Sequence, residues 1–218
     1  MSEKNTLQVR ADFFNVTNTQ PPTVLLLDSY TDNGGFVAAP PLSGYTDALN
    51  ALGTSFITFD ARSGSLPTLA QLQTYRCVIW RLDEVSAPNA TLVQRVASYV
   101  TNGGSLFIAG MDTITRLGEA GAASFASTVL QVQSHTEDVP VDSVVGFAGE
   151  PVGAGIDATL DFTAYADLMA FLQLLGVNKP CDWILPNTNA APVMLSNGQI
   201  VGLRAPKTGV DLPGRVVF

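Results

Sequence analysis

The chain has 218 residues, 46% of them hydrophobic and only 14% charged, with eleven Lys and Arg against nineteen Asp and Glu for a net charge of −8. That much apolar content excludes a disordered or linker-like chain. A surface with three lysines (Lys4, Lys179 and Lys207) argues against a nucleic-acid partner, because a phosphate backbone needs a basic face.

Residues 1–22 are polar, end in Gln20-Pro21-Pro22, and read as an N-terminal arm anchored by Phe13 and Phe14. The body, 23–218, reads as a single domain. It starts with Thr23-Val-Leu-Leu-Leu-Asp28, a continuous apolar run of the kind found in strands buried on both faces. A loop with Asp32-Asn33-Gly34-Gly35 follows, read as an ordinary turn. A helix is expected over 45–52, stopped by Gly53. Ser55-Phe-Ile-Thr-Phe-Asp60 is a second strand, 65–75 contains a short helix, and Cys77-Val-Ile-Trp80 is a third strand. A helix over 88–100 carries Leu92, Val93, Val96 and Val100 on one face and ends at Asn102-Gly103-Gly104. Ser105-Leu-Phe-Ile-Ala-Gly110 is the fourth strand. Short connections and right-handed crossovers make this half, about 23–112, a parallel sheet covered on both sides.

The second half, 113–218, is more elaborate. A helix is expected over 113–132, short strands or an excursion over 134–160, and a helix over 162–175. Ser196-Asn197-Gly198-Gln199 sits between two apolar runs, a strong hairpin signal, and Arg215–Phe218 reads as a last strand. The expected fold is therefore α/β: three layers, a mostly parallel sheet and a C-terminal β-hairpin extension.

Two cysteines, Cys77 and Cys181, cannot build a disulfide framework, although a single bridge is possible. No apolar run approaches the roughly 18 residues of a membrane span. The first residues lack the basic start and apolar stretch of a signal peptide. The scarcity of Lys and the abundance of Thr, Asn, Ser and Gly nevertheless suit an exported bacterial protein. The expected location is extracellular or the cell envelope as part of a longer chain, or cytoplasmic if Met1 is the native start.

The carboxylates Asp28, Asp60, Asp83, Glu84 and Asp112 all follow strand ends, where ligands bind in open parallel sheets. Asp28, Asp83 and Asp112 are expected on neighbouring strands. Three readings compete. The acids are satisfied locally, with Arg81 forming a structural ion pair; or Asp28 and Asp112 hold a hard cation such as Ca²⁺ or Mg²⁺; or the edge supplies an acid and a base. His135, in a polar stretch, reads as an exposed loop residue. Trp80 and Trp183 read as core, with a sugar platform at Asp182-Trp183 left open.

These strands, together with Tyr99-Val-Thr-Asn-Gly-Gly-Ser-Leu-Phe-Ile-Ala-Gly-Met-Asp112 and Ile200-Val-Gly-Leu-Arg204, resemble the class I glutamine amidotransferase-like (flavodoxin-like) superfamily. The resemblance is closest to modules of that fold in large secreted bacterial proteins, and it covers about 23–218. In the catalytic amidotransferases a Cys nucleophile sits on a sharp turn after a central strand, completed by a late His and Glu. Here the corresponding turn reads Gly110-Met111-Asp112, so Met111 stands at a degenerate nucleophile elbow, and no His follows His135. The resemblance thus implies a non-catalytic accessory or interaction domain, without a cofactor, that contacts neighbouring domains or protein partners. Two alternatives remain open: a hydrolase-like or cation-dependent site at the strand-end carboxylates, and a small-ligand or carbohydrate-binding domain.

Overall fold

A computed structural model describes residues 24–31, 41–82, 86–163, 170, 173–174, 176, 181–207 and 214–218. Its elements are β1 (Val24–Asp28), α1 (Ser43–Ala51), β2 (Phe56–Asp60), α2 (Leu69–Leu72), β3 (Cys77–Arg81), α3 (Ala90–Thr101) and β4 (Ser105–Ala109). They continue with α4 (Thr113–Glu119), α5 (Ala123–Thr128), β5 (Val132–Thr136), β6 (Ser143–Gly146), β7 (Asp157–Thr159), β8 (Trp183–Pro186), β9 (Ala191–Ser196), β10 (Gln199–Ala205) and β11 (Arg215–Val217). The N-terminal arm with Phe13 and Phe14, the turn Asp32–Gly35, Asp83 and Glu84, and most of the helix expected over 162–175 lie outside the described residues.

The main sheet has nine strands in the order β2-β1-β3-β4-β11-β10-β9-β6-β7. The first five are parallel. The last four run antiparallel, each to its neighbour. The molecule is α/β as expected, but the sheet is mixed and not mostly parallel. The excess comes from β6, β7, β9 and β10. β9 and β10 are joined by a tight turn, and an antiparallel pair needs no crossover helix. A separate two-stranded sheet joins β5 to β8.

Side-chain alternation in the central strands feeds two cores. Leu25, Leu27, Val78, Trp80, Leu106 and Ile108 pack with α2, α3, α4 and α5 on one face. Val24, Leu26, Cys77 and Ile79 pack with Leu49 of α1 on the other. A run apolar at every position is what such a doubly covered strand requires. β1 and β3 are buried throughout. β2 departs from the expectation: it is the sheet edge, and Ile57 is 52% exposed. β4 also departs from it, with only Leu106 and Ile108 buried.

Local chemistry explains the helix boundaries. The Asn89 carboxamide accepts from the backbone N–H of Thr91 (2.9 Å) and so starts α3. Thr68 and Gln71 form a reciprocal capping box at α2. Arg95 of α3 donates to the Pro67 carbonyl (2.9 Å) and ties the two helices together. The helix expected over 113–132 is two short helices, because Gly121 adopts φ +75° between them. The Asn197-Gly198 hairpin forms with both residues at positive φ, 49° and 78°.

Candidate functional site

Asp28 and Arg81 are register partners at the ends of β1 and β3, and their side chains share the α1 face of the sheet. Arg81 Nη1 donates to both carboxylate oxygens of Asp28 at 3.3 and 3.4 Å. Its guanidinium lies 4.5 Å from the centre of the Tyr30 ring. Asp28 is fully buried and Arg81 5% exposed, so each charge depends on the other. Asp28 also accepts from the Tyr30 backbone N–H (3.2 Å), and Arg62 Nε approaches it at 3.6 Å. Ser29 closes the corner: its hydroxyl accepts from Trp80 Nε1 (2.8 Å) and donates to the Arg81 carbonyl (3.0 Å). Trp80 is core, edge-on to Phe125. Asp60, on the edge strand, forms a two-point pair with Arg62 that holds its carboxyl down at about 2.

After β4 the chain turns sharply through Gly110-Met111-Asp112 into α4. Asp112 takes φ +57°, a left-handed backbone costly for a residue with a Cβ. It does not cap α4 with its side chain. Its carboxylate accepts instead from Arg116 Nε at 2.9 Å, and Arg116 Nη1 reaches Glu119 at 2.6 Å. Burial raises the Asp112 pKa, while Arg116 opposes the rise.

The strand order confirms that Asp28 and Asp112 follow strands on either side of β3. The structure does not gather them into one site. Each carboxylate is closed by an arginine, and neither borders the cleft that lies over the strand ends. Among the described residues no three His, Cys, Asp or Glu side chains converge as metal ligands.

What lies over the strand ends is an open cleft with two adjoining lobes of about 390 and 370 Å³. Tyr45, Gly110, Met111, Leu160 and Cys181 border both. The first lobe runs to Tyr30, Arg81 and Phe162, the second to Val144, Met194 and Asp182. Met111, in the turn after β4, is thus central to the cleft. Asp182 carries the most distinctive electrostatics. Its Oδ1 is buried with no hydrogen-bond donor among the described residues. Burial pushes its pKa up to about 6; His135 lowers it, and the negative charges of Asp112, Glu137 and Asp138 raise it further.

Of the two thiols, Cys77 sits at the start of β3, the sheet end away from the cleft, and burial pushes it up to about 12. No disulfide joins Cys77 to Cys181. Cys181 lies in the segment just before β8 and is a buried wall of the cleft. His135 lies on β5, with Nε2 3.1 Å from Glu137 Oε1, and Thr115 donates to the same oxygen at 2.7 Å. The expected exposed loop position is thereby corrected to a partly covered strand position. Trp183 opens β8, half-buried beside Val139, Val141 and Cys181, and its indole N–H is buried without an acceptor among the described residues.

Tyr30, Tyr45 and Leu160 were missed as site residues by sequence reasoning and reach the cleft by tertiary packing; Asp182 was noted only beside Trp183, in the carbohydrate-binding alternative.

Comparison with known proteins identifies a fold and no more. No protein-family model matches the chain, and no curated protein matches its sequence. A solved cytoplasmic protein from Salmonella typhimurium is similar over 90% of this chain and 85% of its own, with a TM-score of 0.53 at 12% identity. An exo-β-1,4-mannosidase from Opitutaceae bacterium strain TAV5 is similar over 90% of this chain and 30% of its own, with a TM-score of 0.49 at 14% identity. Among the described residues no helix is long and apolar enough to cross a membrane.

Proposed function

We propose that the chain is a non-catalytic accessory domain of the amidotransferase-like (flavodoxin-like) architecture, belonging to a larger exported bacterial protein and working through neighbouring domains or protein partners. The observation that carries this reading is an elbow without a nucleophile. The sharp strand-to-helix turn after β4 is built, with Asp112 in the left-handed region, and it presents Met111 to the cleft. A thioether has no proton to lose and cannot serve as the activated thiolate of covalent catalysis. The two thiols are elsewhere, one at the opposite sheet end and one on the cleft wall, and the sole imidazole bonds to Glu137. The order β2-β1-β3-β4, extended by β11 as a fifth parallel strand, supports the flavodoxin-like frame.

The hydrolase or cation reading at Asp28, Asp83 and Asp112 draws less support, since Asp28 and Asp112 already have arginine partners. The deciding assay offers the purified domain glutamine, aryl esters and aryl glycosides. The expected result is background turnover for the natural protein and for Met111→Cys alike. Turnover above background that Cys181→Ser or Asp182→Asn abolishes would overturn the reading.

A further inference from the structure

The second lobe of the cleft combines features that the accessory role does not use. Its walls are apolar, contributed by Met111, Val141, Val144, Ile184 and Met194. Asp182 is the one charged side chain among its described lining residues. One oxygen of that carboxylate is shielded from solvent with no donor among the described residues, so the charge is poorly compensated within the protein and a cation placed beside it would stabilise it.

The surrounding charges select the sign of that ligand. Asp112, Glu137 and Asp138 act on Asp182 as negative charges, and His135 is the nearby titratable base. Arg116 of α4 is turned to Asp112 and Glu119. The guanidinium at the far lobe, Arg81, is held by Asp28 and Tyr30. The potential at the Asp182 end therefore favours a cation. A bare Ca²⁺ or Mg²⁺ needs about six oxygens, which one carboxylate among methyl and thioether groups does not provide. An alkyl or aryl ammonium fits both features: a positive charge for the Asp182 carboxylate and an apolar body for the walls. A lobe of about 370 Å³ is within the range of small-molecule sites.

We propose that this lobe binds a small organic ammonium ion, with Asp182 as the counter-charge and the apolar walls holding the body of the ligand. The assignment goes beyond the accessory-domain reading and does not depend on it, so turnover and binding assays can fail separately.

The test compares benzylammonium with its neutral counterpart benzyl alcohol by titration calorimetry at neutral pH. The expected result is saturable one-to-one binding of the ammonium, about tenfold or more tighter than the alcohol, as a charge-assisted hydrogen bond in a low-dielectric site implies. Asp182→Asn should remove most of that preference while leaving the alcohol unaffected. A measurement on the natural protein needs no variant: carbon NMR of the Asp182 carboxyl should show its titration midpoint fall when benzylammonium saturates the site. Equal binding of the two probes, ammonium binding that Asp182→Asn leaves unchanged, an unmoved midpoint, or no saturable ammonium binding would each overturn the proposal.

Discussion

Single residues set the pH response of this protein. The folded-state pKa of Asp182 is raised, so its charged form costs stability at pH values above the unfolded carboxylate value near 4. The cost grows as pH rises and is complete above about 6. Asp60 and Glu137 act in the opposite sense: their pKa values are lowered by Arg62 and by Thr115 with His135, and their contributions are lost as pH falls through the acid range. Asp182→Asn should therefore raise stability at pH 7 by about 1–2 kcal/mol, discounted for partial solvent screening, and flatten the profile between pH 4 and 6. Urea unfolding across that range checks both. The Asp28–Arg81 pair makes the opposite prediction. Asp28→Ala leaves a guanidinium buried without its carboxylate and should cost about 3–5 kcal/mol. The double change Asp28→Leu, Arg81→Met should recover much of that loss, measured in the same unfolding experiment.

Elements are held in place by a few close fits. Gly104, where α3 gives way to β4, lies under the ring of Tyr99, and a Cβ there would stand 2.3 Å from the ring carbon. The ring has no room to give way, because its hydroxyl donates to the Tyr75 and Ser105 carbonyls and accepts from the Ser105 N–H. Gly104→Ala should cost about 2 kcal/mol or more by overpacking, seen as a lower denaturation midpoint with an unchanged slope. The helix stop at Asn102-Gly103-Gly104 was legible in the sequence, as were all four parallel strands of the first half and the Asn197-Gly198 hairpin. Turn chemistry and apolar runs are local, and local signals survive in the sequence. The division of 113–132 into α4 and α5 was not legible, since an Ala-rich stretch looks helical throughout and only Gly121 marks the break.

At the scale of the whole molecule, the last strand is the joint. β11 lies between β4 and β10, parallel to one and antiparallel to the other, and so connects the parallel half to the antiparallel half. Phe218 exchanges backbone hydrogen bonds with Leu203, which extends the junction. Removal of residues 214–218 should therefore abolish the single cooperative unfolding transition, leaving a non-cooperative or aggregating chain in circular dichroism melts. A truncated protein with an intact sharp transition would show that the two halves stand apart. The same topology explains the candidate site. Residues from the β4 turn, from α1, from the 160–162 segment and from 181–182 meet over the strand ends, and no spacing along the chain announces that meeting.

The sequence by itself determined the α/β class, the parallel first half, the absence of a cysteine from the turn after the fourth strand and the carboxylates at the strand ends, because each depends on local periodicity or on residue identity. The sequence also placed Arg81 at the same edge as the acids, which made a structural ion pair one of its readings. Tertiary structure alone decided that the sheet is mixed, that β2 is its exposed edge, and that the strand-end acids are neutralised by arginines. It also decided that Asp182, distant in the chain, lines the cleft with one oxygen buried and without a donor among the described residues. Long-range pairing and burial fix those outcomes, and both are properties of the packed chain.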